Sequence, residues 1–194
     1  MGLFRTLYRE VREIIGLKPP PENGTQLAER LCGELKNELG GKKGKDGDNY
    51  TLDTVVGERE TTLLFEAEPS RACVAMVVAI DEGISWTVSR DPLGGAEAPD
   101  AGVERIYVAT GLYVEGTGRA VAQAEAAWKQ LPTGARGVIS QLVGKAGGQL
   151  EVDGAVVRYT PELETLLDKS ARYTVKNHLQ AIQKVIEGME SGWA

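Results

Sequence analysis

Few residues in this chain have side chains suited to catalysis or metal binding. His178 is the only histidine, and the cysteines are Cys32 and Cys73. A Ser–His–Asp triad or a Cys–His dyad needs an imidazole as its base, because that group titrates nearest neutral pH. His178 sits beside Leu179 in a helical pattern, no Gly-x-Ser-x-Gly occurs, and neither cysteine lies in a nucleophile motif. His178 is therefore read as a structural or surface residue. One histidine and two dispersed cysteines supply no zinc spacing, so no metal and no cofactor are expected. Carboxylates are the remaining candidates. Glu66 and Glu68 share one face of a strand-like run together with Leu64, and Asp81-Glu82 form a turn. Such pairs do acid–base work only inside a cleft, and they otherwise form the wet side of a sheet.

Three loops resemble ligand-binding loops. GGKKGKD at 40–46 is one residue short of a Walker A loop, ends in Asp46 where Ser or Thr is needed, and follows a helix. Asp46, Asp48 and Asn49 start like a calcium loop, but the sixth position is Thr51 and the twelfth Gly57, where Gly and Glu are required. The third loop has better context. A strand runs into Gly116-Thr117-Gly118, a helix starts just after, and Arg119 adds charge. Backbone N–H groups at such a junction can hold an anion, so Gly116, Gly118 and Arg119 form the anion-binding candidate. Val121 stands where a dinucleotide fingerprint has its third glycine.

The elements that position these residues change period along the chain. Phe4, Leu7, Tyr8, Val11, Ile14 and Ile15 recur at helical spacing over 3–17, and Pro19, Pro20 and Pro21 stop that helix. Leu27, Leu31, Leu35 and Leu39 mark a second helix over 25–39, capped by Asn23 or Thr25 and ended by Gly40. Residues 40–49 carry no apolar side chain before Tyr50 and are expected to be a mobile loop. Strand-like runs follow at 50–56, 61–68, 72–80 and 84–90, with short turns that imply antiparallel neighbours. The 72–80 run, ACVAMVVAI, is apolar on both faces, as a covered central strand should be. One further strand is expected over 104–114, with Gly111 as the place where it could break. Helices are expected over 118–130 and 134–146, then a hairpin at Asp153-Gly154, then helical pattern from Pro161 to the end.

These elements give an α+β fold. A central antiparallel sheet of about five strands is flanked by N-terminal and C-terminal helices, with one Asp-Gly hairpin. The 194 residues suit a single domain, 1–194, in which 1–18 is a proline-tethered amphipathic helix. The net charge of −6 disfavours nucleic acid. No run of apolar residues is long enough for a transmembrane segment. Arg5, Arg9, Glu10, Arg12 and Glu13 interrupt the apolar core that a signal peptide needs, so the expected location is cytoplasmic. MGLFRT formally matches a myristoylation pattern, which leaves peripheral membrane contact open.

The functional expectation is a non-enzymatic interaction protein that meets a protein partner or a second copy of itself. The apolar face Phe4, Leu7, Tyr8, Val11, Ile14 and Ile15 is its candidate partner-binding surface. The alternative is a small-ligand-binding or carboxylate-based enzyme domain built on the turn at 115–119.

Overall fold

The computed structural model describes residues 23–68, 71–80, 85–90, 102–145, 147–161 and 171–193. Helix α1 (Gly24–Leu39) starts in a capping box: Asn23 Oδ1 accepts from the Gln26 N–H at 2.8 Å, and Gln26 Oε1 accepts from the Asn23 N–H at 3.2 Å. It ends at Gly40, whose φ of 75° suits glycine. The Leu27, Leu31 and Leu35 stripe is buried, as its spacing predicts.

Residues 40–49 correct the first expectation. They contain strand β1 (Lys42–Asp46), which pairs with β2 (Asn49–Val56) across an Asp46-Gly47 hairpin. A strand can form without apolar side chains here because the ladder is a backbone property and the stems of two lysines find a ring. Lys43 and Lys45 lie over Tyr50, at 4.5 and 5.2 Å from its centroid. Lysines on a short edge strand also discourage pairing with another sheet.

β2 turns at Gly57 and Glu58, both at positive φ, into β3 (Arg59–Glu68), which pairs with β4 (Arg71–Ala79). After β5 (Trp86–Arg90), the single strand expected over 104–114 is instead two. β6 (Glu104–Ala109) and β7 (Leu112–Gly116) are joined by a turn at Thr110-Gly111. Helix α2 (Arg119–Gln130) and helix α3 (Thr133–Ile139) follow, and α3 runs on as a π-helical turn (Ser140–Lys145). β8 (Gln149–Asp153) and β9 (Val156–Thr160) form the Asp153-Gly154 hairpin, and α4 (Ala171–Trp193) closes the described chain.

Among the described residues the sheet has nine strands, not about five, and every pairing is antiparallel. Its order is β1-β2-β3-β4-β9-β8-β5-β7-β6. β4 and β5 follow one another in sequence but do not touch, because the β8–β9 hairpin inserts between them. Registered neighbours form one apolar row across eight strands: Leu52, Leu63, Met76, Tyr159, Leu150, Val88, Val114 and Ile106. The four described helices and the π-helical turn pack on this side, and their apolar residues join it in one continuous core. No described helix is long and apolar enough to cross a membrane.

Candidate functional sites

His178 lies in α4 and is 7% exposed. Its ring meets Tyr159 edge to face at 5.2 Å, its Nδ1 has no hydrogen-bond partner, and burial pushes its pKa down. Tyr159 in turn donates to the carbonyls of Leu142 and Gly147. His178 is thus a core residue packed against Tyr159. Cys32 is a buried free thiol whose Sγ lies 3.5 Å from the Thr51 carbonyl. Burial raises its pKa, with Lys43 and Lys36 acting the other way. Cys73 stands on β4 opposite Glu66, and its side chain lies outside the described residues. Among the described residues no group of His, Cys, Asp and Glu is placed to hold a metal.

The turn at 115–119 is built for close packing. A Cβ on Gly116 would meet the Val121 backbone nitrogen at 2.9 Å, so glycine lets α2 start directly over β7. Gly118 is the N-cap, with φ of 49° and no side-chain cap, and Arg119 is exposed. The registered pairing of β5 with β7 stops at Val88 and Val114. Beyond it lies a cleft of about 190 Å³ lined by Trp86, Thr87, Glu115, Ala120, Glu151 and Asp153, among others. Its rim is acidic. Ser85 Oγ donates to Asp153 at 3.1 Å, and Glu115 accepts from Arg105 Nε at 2.7 Å. Trp86 is 4% exposed, and its indole N–H has no partner. No motif in the sequence marks this cleft, since it arises where two strands splay.

Glu66 and Glu68 stand on β3, opposite Cys73 and Arg71. Strands β4, β9, β8 and β5 separate them from β7. At about 4.8 Å per strand, that is about 24 Å, so the structure does not bring these carboxylates to Arg119. The partner-binding candidates Phe4, Leu7, Tyr8, Val11, Ile14 and Ile15 lie outside the described residues, as do Asp81-Glu82 and the helical pattern between 162 and 170.

The second face of the sheet carries no described helix. An antiparallel sheet with one wet face ordinarily alternates apolar and polar residues. β8 alternates in this way, but β4 does not. Val74, Met76 and Val78 are buried in the core, while Ala75, Val77 and Ala79 point the other way and are half-buried. Leu64 lies opposite Ala75 and Val156 opposite Ala79, so the apolar patch spans β3, β4 and β9. Val55, at 63% exposure, extends it toward β2. Around it the carboxylates of Asp53, Glu60, Glu66, Glu151 and Asp153 outnumber the cations Lys42 and Arg158. At the far edge Arg105 lies 4.2 Å over the Tyr113 ring, and its hydrogen bond to Glu115 holds its pKa above the usual range. Beside β1, an open groove of about 730 Å³ is lined by Lys42, Asp53, Val55, Glu60 and Thr62, among others, and there Thr62 Oγ1 donates to Asp53 at 2.9 Å.

Comparison of the chain with family models, with curated proteins and with solved structures finds no match.

Proposed function

We propose that this chain is a non-enzymatic, cytoplasmic interaction protein that works through protein–protein contacts on the face of its sheet that no described helix covers. One observation carries the reading: β4 is apolar on both sides, yet the described helices cover only one of them. A patch built from Leu64, Val77 and Val156 gains free energy when water is removed from it, at roughly 25 cal/mol per Å² of apolar area. The acidic surround selects the partner. It favours an apolar segment flanked by Lys and Arg, through complementary charge.

The test is fluorescence anisotropy with two amphipathic helical peptides that share one apolar face, the first flanked by arginines and the second by glutamates. The full chain should bind the first at least tenfold more tightly. Val77→Glu should abolish that binding while the melting temperature holds, because the side chain is outside the core. Equal binding of both peptides, or binding that survives Val77→Glu, contradicts the reading.

A second reading, a small-ligand domain at the 115–119 turn, draws on the cleft with the unpartnered Trp86 indole. It requires that small amines or carboxylates raise the melting temperature and perturb tryptophan fluorescence, and that Glu151→Gln removes the effect. A flat response across both ligand classes eliminates it.

A further inference from the structure

The charge of β1 runs against that of the whole chain. The net charge is −6, yet Lys42, Lys43 and Lys45 fall within the five residues of one edge strand. Register sets Lys43 opposite Leu52 and Lys45 opposite Tyr50, both buried, so these two lysines stand on the side of the sheet where α1 packs. Lys36 of α1 joins them, since Lys36 and Lys43 both act to lower the pKa of the Cys32 thiol. Lys42 stands on the other side, opposite Asp53. Cations elsewhere take up the neighbouring carboxylates of α1: Arg30 pairs with Glu34, and Arg172 and Lys176 pair with Glu38. Among the described residues Lys36, Lys43 and Lys45 make no ion pair, and Lys36 and Lys45 are exposed.

The backbone of β1 adds a second observation. Among the described residues its ladder runs to β2 alone, so its outer edge offers N–H and C=O groups to an added strand. The lysines decide which strand can use them. Directly opposed side chains of an antiparallel pair share a face, so β1 can pair with a second copy only in registers that match residues of one face. Each such register that joins three or more residues of β1 sets Lys43 against Lys43, Lys43 against Lys45, or Lys45 against Lys45. Like charges directly opposite are destabilising, so the occupant is not a second copy. The strand that fits carries carboxylates at alternate positions, about 6.8 Å apart, on the side of Lys43 and Lys45. We propose that β1 is a second docking edge, which takes an extended segment of a partner protein with Asp or Glu at every other residue. The added strand hydrogen-bonds to the β1 backbone, and its carboxylates lie beside Lys43, Lys45 and Lys36.

The test uses the full chain and three peptides of about seven residues. The first alternates Glu and Thr, the second has Gln in place of Glu, and the third is the first with every backbone nitrogen methylated. The first should bind with its largest amide shifts on residues 42–46, and the other two should bind at least about tenfold more weakly. Equal binding of the first and second removes the charge selection, and equal binding of the first and third removes strand addition. Either result overturns the proposal, as does the absence of binding by the first peptide. Lys43→Glu with Lys45→Glu should reverse the preference, so that a peptide alternating Lys and Thr binds at least about tenfold more tightly than the first. An undiminished preference for the acidic peptide in this variant overturns the proposal. Val77→Glu, which removes the partner site on β4, should leave binding of the first peptide unchanged. Its loss there would put the peptide on β4 and overturn the second edge.

Discussion

Tyr159 and His178 meet inside the core, and their contact has a pH signature. Burial holds the imidazole neutral and lowers its pKa in the folded state from an ordinary value of about 6.5. The unfolded chain then binds a proton that the folded chain does not. Stability is accordingly undiminished above about pH 6.5 and falls as pH drops below it toward the folded pKa. Only charges on neighbouring elements could disturb this window. Glu38 has its pKa lowered, first by the hydrogen bond from Lys176, so it titrates below the range in question. Melting temperature should fall between pH 7 and 5.5 in the wild type and fall less in His178→Phe, which keeps the edge-to-face contact. Parallel profiles for the two proteins would remove His178 as the cause. At this scale the sequence was informative by scarcity. A lone histidine beside Leu179 reads as structural or surface, and it is buried against a tyrosine. The unpartnered Trp86 left no trace in the sequence, because the cleft beside it depends on β7 and β8, strands distant from β5 in order. The Arg105–Tyr113 stack was hidden because the β6–β7 turn was read as continuous strand.

Elements were legible where a local rule decides them. The Asn23 capping box, the Leu27–Leu35 stripe and the Asp153-Gly154 hairpin all follow from short-range chemistry. Errors fell where the backbone alone decides. β1 has no apolar periodicity to read, although Asp46-Gly47 is the same hairpin signal that marked residue 153. Gly111 was visible as a break, but only pairing makes it a turn between two strands. Helix packing adds a constraint that no periodicity shows. Gly188 of α4 sits where a Cβ would meet the Ala135 Cβ of α3 at 2.6 Å. Gly188→Ala should therefore cost about 1–3 kcal/mol by overpacking, despite the better helix propensity of alanine. Ala135→Gly should recover part of that loss, so the double variant is more stable than the sum of the singles. Additive losses in a denaturant titration would show that the two helices do not depend on this contact.

The order of the whole sheet was beyond sequence reading. Consecutive strands with short turns suggest neighbours, which holds for β1 to β4 and fails at β5, where the late β8–β9 hairpin inserts. That insertion joins a four-stranded and a three-stranded half into one sheet with a continuous core on one side. The apolar doubling of β4 was plain in ACVAMVVAI and was read as a strand covered on both faces. The described helices cover one. The central claim is that the other face binds an apolar, basic-flanked protein segment. Its most direct test is a chemical-shift map of the full chain titrated with the arginine-flanked peptide. The largest shifts should cluster on Leu64, Ala75, Val77, Ala79 and Val156. Shifts centred on Trp86, Glu115 and the 116–119 turn, with the β4 amides unmoved, would contradict it.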